Sequence, residues 1–354
     1  MNAALSPAAF FRSVWELAPA LLCALAGGAL FLLIDLPAPW ISGGMIGAMM
    51  SAFIRPLPEM PAPLRDLGLL VAGVTMGSSV TPDTLDLMVK GPVSFLILAL
   101  CIVLTIMLST LWLSSVHGWS PQDGILAASP GALSSALAIA AARGGDVMGV
   151  AVVQTARLFI IVAFLPGLIG LLERKPVIPA SAIAEMSWSA SFVMIAGGAV
   201  CGLLLHRLRL SAPMLLGAAL FGATLHGAGL AQGYAPAPLA TVGFVLVAVM
   251  IATRTRGITW KAVADYAAAS AASLMIGVAV SAAFAVLASW LLGIRLGATL
   301  LAFAPGGVEA MTLLSMSLAY DPLYVAAHHI ARFMSLGVCI PLWFRFTDRF
   351  PDKP

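Results

Sequence analysis

Charge is what this chain has least of. Only 9% of its 354 residues are Asp, Glu, Lys or Arg, against about a quarter in soluble domains, while 61% are hydrophobic and the mean hydropathy is +1.04. So few charges cannot clothe a water-facing surface, and the chain is an integral membrane protein. The net charge of +3 is small and scattered, which excludes a nucleic-acid partner. Cysteine is nearly absent. Cys23, Cys101, Cys201 and Cys339 lie far apart in apolar runs, with no Cys/His ligand spacing, so disulfides, zinc and iron–sulfur clusters are not expected. No Walker-type lysine follows the glycine clusters "AGG" (26–28) and "SGGMIGA" (42–48), which leaves them a role in close helix packing and argues against ATP-driven pumping. No Ser/His/Asp arrangement is discernible, and the chain does not read as an enzyme. The first apolar run lacks a small-x-small cleavage site and stays in the mature chain.

What is there is a series of apolar runs. Candidate spans lie near 17–34, 40–54, 66–80, 92–117 and 147–170, then near 188–206, 213–227, 238–253, 266–292 and 322–345. Between the fourth and fifth of each set lies an apolar segment broken by proline and glycine, at 123–142 and 298–318. The sets align at an offset of 175: Pro130 with Pro305, Gly131 with Gly306, Asp146 with Asp321, Arg157 with Arg332 and Pro166 with Pro341. Upstream, Gly68 meets Gly243, and Pro39 meets Pro213 after a one-residue slip. The spacing predicts a tandem duplication, with repeats over 1–175 and 176–354.

Lys and Arg decide how the halves face. If the broken segments cross the membrane, loops and tails carry nine basic residues on one side and seven on the other. If they are re-entrant hairpins, the second half is inverted and the count becomes twelve against four, as the positive-inside rule demands. The expected fold is therefore all-α: an inverted repeat of 5+5 transmembrane helices with two re-entrant hairpins and both termini cytoplasmic. Irregular backbone at membrane depth must be covered by protein or line a wet cavity. Opposed hairpin tips gather helix ends around one small volume, as in secondary transporters.

The candidate residues cluster there. Arg157 and Arg332 lie about ten residues into their helices, roughly 15 Å deep at 1.5 Å per residue. Intramembrane arginines normally face a partner or a polar cavity. They either fork onto an anionic substrate group or tie a hairpin tip to its helix through backbone carbonyls. Arg157 has no evident permanent counter-ion and is expected to be the main anion contact, with Arg332 a partner of Glu309. Glu309 follows the second break, where a helix dipole favours a carboxylate; it is the candidate coupling group, with Ser134 as its neutral counterpart. His328 and His329 share the helix of Arg332 and offer proton relays or simple hydrogen bonds. Gln154 stands at the place of His329. Gly131, Gly306, Gly307, Ser134 and Ser135 form the tips and are candidate substrate contacts; Thr312, like Ser134 and Ser135, offers an oxygen ligand to Na⁺. Asp146 and Asp321 are expected N-caps.

Across nearly its whole length, and most specifically at "APGGVEAM" (304–311), "DPLYVAAHHIAR" (321–332) and "SPGALSSA" (129–136), the chain resembles the bacterial AbrB-type membrane proteins. That duplicated family was once labelled as ammonia monooxygenases, a chemistry for which five scattered histidines offer no metal site. The plan looks like that of the elevator-type glutamate/sodium and citrate/sodium symporters. The family label itself says little about chemistry; the broken segments and intramembrane charges lead to the expectation of a multi-pass protein of the bacterial inner membrane that transports a small, carboxylate-bearing solute by symport with H⁺ or Na⁺. It needs no cofactor beyond a coupling ion, and by analogy it forms a homodimer. The alternatives are a passive channel or facilitator for ammonia or a small amine, and a membrane regulator without flux.

Overall fold

The computed structural model describes residues 7–78, 91–130, 133–173, 185–207 and 212–347. Among the described residues there are helices and no named strand, only an isolated bridge between Glu185 and Tyr234. This is how an apolar chain must fold in lipid, because a helix satisfies its backbone polar groups internally. The helices are α1 (Pro7–Leu33), α2 (Gly44–Ile54), α3 (Ala62–Gly77), α4 (Gly91–His117), α5 (Pro121–Ala128), α6 (Leu133–Arg143), α7 (Val147–Glu173) and α8 (Trp188–Arg207). They continue as α9 (Pro213–Gly227), α10 (Ala237–Ala252), α11 (Trp260–Asp265), α12 (Ala267–Leu292), α13 (Leu296–Phe303), α14 (Val308–Ser317) and α15 (Pro322–Thr347). Among the described residues each of the ten apolar runs falls on a helix, and each broken segment holds a pair of short helices.

Among the described residues six helices are long and apolar enough to cross a membrane: Phe10–Leu33, Gly91–His117, Val147–Glu173, Trp188–Arg207, Ala237–Thr255 and Ala267–Leu292. The chain is a multi-pass membrane protein. Its outward apolar side chains suit lipid, with Trp15 and Trp290 each 80% exposed and Ile54 85%.

Two compact units divide the chain. The first takes residues 1–84, 162–257 and 312–323, and the second takes 85–161, 258–311 and 324–354. Each draws on both sequence halves. In the first unit α1 packs on α2, α8 on α9, and α3 on both α9 and α10. These contacts are made by small residues. A Cβ at Gly73 would collide with the carbonyl of Leu215, and one at Gly217 with the backbone of Gly202. Ala38 and Ala212 both take a left-handed conformation just before Pro39 and Pro213, so the slipped proline pair of the sequence opens equivalent helical entries.

In the second unit α4 packs against α12. Cys101 meets Ser281, and Thr105 meets Gly277, so the two helices run antiparallel. Pro305, at the second break, also rests on Gly277. The broken helix pair is thus seated on the α4–α12 crossing.

Candidate functional site: two broken helix pairs

Both breaks begin with a helix that stops at a proline. α5 ends at Ala128, before Ser129 and Pro130, and α13 ends at Phe303, before Ala304 and Pro305. A proline cannot donate its nitrogen, and the residue before it is pushed out of the helical region. Ser129 and Ala304 accordingly adopt extended backbone, with ψ of 110° and 137°. The carbonyls at the end of each short helix then lack intrahelical partners.

Arginine supplies them. Arg157 donates from Nη1 to the carbonyls of Ala127 (3.3 Å) and Ala128 (3.0 Å), and from Nη2 to that of Ser129 (3.2 Å). Arg332 donates from Nη2 to Ala302 (3.1 Å) and Phe303 (2.9 Å), and from Nη1 to Ala304. Adding 175 to 127, 128 and 129 gives 302, 303 and 304. The neighbours repeat the rule: Gln154 Nε2 donates to Leu126 O (2.6 Å), and His329 Nε2 donates to Leu301 O (3.0 Å). The offset of 175 that relates matched letters therefore also relates these bonds.

Arg157, for which the sequence showed no counter-ion, binds three carbonyls, the second of the two roles left open for it. Which carbonyls they are escaped the sequence reading, because backbone groups carry no side-chain signature. Both guanidiniums are buried, at 3% and 2% exposure, and each keeps one unpartnered N–H at Nε. Their hydrogen-bond partners are carbonyls plus, for Arg332, the ring of His329. Neither arginine is paired with a carboxylate among the described residues.

The histidines have fixed roles. A carbonyl only accepts, so His329 carries its proton on Nε2 and its bare Nδ1 faces Arg332 Nη1 at 3.4 Å. His328 Nδ1 donates to Tyr324 O (2.8 Å), which leaves Nε2 to accept from Ser94 Oγ (2.7 Å). Ser94 in turn accepts from the Tyr324 hydroxyl (2.8 Å). Phe95, Phe303 and Tyr324 surround the His328 ring. Ser94 and Tyr324 were missed in the sequence. Tyr324 precedes His328 by one helical turn, which was the available signal; Ser94 sits in an apolar run and gave none.

Glu309 lies half-buried in the first turn of α14, and Gly306 and Gly307 are buried at the break before it. Ser135 is exposed on α6. Gly131 and the side chain of Ser134 lie outside the described residues. Arg157, Arg332, Gln154, His328, His329, Glu309, Ser135 and the two glycines belong to the second unit, whereas Thr312, fully buried, falls in the first. Asp146 caps α7 through the N–H of Gly149 (2.9 Å), and Asp321 accepts from Leu323 N–H (2.8 Å). A cavity of about 220 Å³ opens along α5 and α6, lined by Gln122, Asp123, Arg143 and Leu126 among others. It reaches to within three residues of the first break. Among the described residues no three His, Cys, Asp or Glu side chains come together as a metal-binding group.

Sequence comparison places this architecture. The family model described as "Transition state regulatory protein AbrB" matches residues 40–348, so the chain belongs to the AbrB family. It is also similar to "Uncharacterized protein YhjN" of Bacillus subtilis (strain 168), with 27% identity over 356 residues and 90% of each chain covered.

Proposed function

We propose that this member of the AbrB family is a secondary active transporter of a small, carboxylate-bearing solute, coupled to H⁺ or Na⁺. The observation that carries the reading is the repeated guanidinium–carbonyl set in one compact unit. Two broken helices held in the same way, by halves of opposite charge bias, are what an inverted repeat with two re-entrant hairpins would produce. Arg157 and Arg332 lie about ten residues along helices that rise 1.5 Å per residue, which suits a depth near the middle of a hydrocarbon core of about 30 Å. In this reading ten helices span the inner membrane, both termini are cytoplasmic, and the second unit carries the site in an elevator-like cycle.

The charge pattern favours an anion. Two buried guanidiniums, each with a spare N–H, raise the positive potential at the breaks, and the N-terminal ends of α6 and α14 add their dipoles. A substrate carboxylate would answer that charge and those spare donors. Glu309, on the charged tip, is the group that takes up and releases the coupling proton.

Proteoliposomes test this with radiolabelled organic acids and amines, with and without Na⁺ and pH gradients. Gradient-driven accumulation of an acid, with Glu309→Gln keeping exchange but losing pH-driven uptake, is the expected result. Passive equilibration of an amine would instead make the protein a facilitator. Absence of flux for every solute would leave a regulator.

A further inference from the structure

The last five carbonyls before the proline of each break all have donors. At the first, Ile125 O accepts from the Ser129 N–H, Leu126 O from Gln154, and the carbonyls of Ala127, Ala128 and Ser129 from Arg157. At the second, Leu300 O accepts from the Ala304 N–H, Leu301 O from His329, and those of Ala302, Phe303 and Ala304 from Arg332. Freed carbonyls at the C-terminal end of a broken helix are where a cation-coupled transporter holds its metal ion, since the helix end is partly negative and the oxygens converge. Here that position is filled, twice, by a side chain.

We propose that Arg157 and Arg332 are resident cations occupying the two positions in which Na⁺ would otherwise be bound, so that the carbonyls of 127–129 and 302–304 form no sodium site. A second cation on the same oxygens would stand within a few ångströms of a fixed positive charge, in a buried setting where water cannot screen it. Nor can the guanidinium leave, because it is covalently part of α7 or α15. The inference deepens the transport reading, since it removes Na⁺ from these carbonyls as a driving ion and leaves the proton. Its test uses neither substrate nor gradient, so failure of the transporter reading would not touch it.

The full-length protein in detergent is melted in NaCl and in choline chloride of equal ionic strength. The wild type is expected to unfold at the same temperature in both. Arg157→Ala and Arg332→Ala each empty one set of carbonyls and should melt earlier. Each should recover about 2–4 °C in a saturable way on addition of methylguanidinium or Na⁺. Arg157→Lys and Arg332→Lys keep a cation on the carbonyls and should remain indifferent to Na⁺. Saturable stabilisation of the wild type by Na⁺ overturns the proposal, a measurement that stands even if an alanine variant does not fold. So do alanine variants that melt with the wild type, or that gain nothing from either cation.

Discussion

The exchange of His329 for glutamine separates a structural ring from a proton carrier. His329 donates to the carbonyl of Leu301, a residue with no exposure, and accepts a long bond from Arg332. Glutamine has both functions, an N–H₂ donor and an oxygen acceptor, and Gln154 already shows that it reaches the equivalent carbonyl, at 2.6 Å. His329→Gln should therefore cost less than ~1 kcal/mol, whereas His329→Leu strands a buried acceptor and should cost ~1–3 kcal/mol. At roughly 2–4 °C per kcal/mol for a domain of moderate size, the leucine variant should unfold several degrees early and the glutamine variant hardly at all. Tryptophan fluorescence of the protein in micelles reports both midpoints. Equal losses in the two variants would refute the carbonyl-tie argument, as would a neutral leucine. A glutamine variant that folds like the wild type yet loses pH-driven uptake would make the ring a proton carrier.

Three further outcomes are expected. In a cysteine-free background, Arg143→Cys and Arg256→Cys should be labelled from the cytoplasm and Lys175→Cys only from outside; labelling of 143 and 175 from one side would end the inverted-repeat reading. Gly73→Val should destabilise the first unit by ~1–3 kcal/mol or more, seen as an early melt, because its Cβ has nowhere to go but into the Leu215 carbonyl and the Ala218 methyl. Tyr266 lies between α11 and α12, and its phenol is pushed up to about 12, first by its hydrogen bond to Asp146, then by burial and the Asp146 charge. The folded chain then holds a proton that the unfolded chain sheds from about pH 10 upward. Stability should fall as pH rises through that window, and Tyr266→Phe should lessen the fall in a pH series of melts.

The sequence carried much of this because membrane helices announce themselves by length and apolarity, and their interruptions by proline. Pro130 and Pro305 located both breaks without structural help. Charge partners were harder. A search along the sequence for what neutralises Arg157 looks for acids, yet the residues 28–30 positions upstream that bind it are two alanines and a serine, acting through their backbone. The repeated spacing of 28–30 residues in the second half was visible in principle, but only after both arginines had been bonded. Nor do repeats in the sequence tell which helices pack together. Burial of small residues, such as Gly217 against Gly202, decides that, and the compact units cut across the halves.

A fastening that grips main-chain oxygens is blind to the side chains of the segment it holds. Any short helix ending before a proline would serve as its ligand, whatever letters compose the tip beyond. The two tips can therefore differ while their helices are held alike: one carries Glu309 where the other, at the offset of 175, has Ser134. Framework and side-chain chemistry are separable there. For an engineer, that makes the tips the place to vary side chains, with the arginines left untouched.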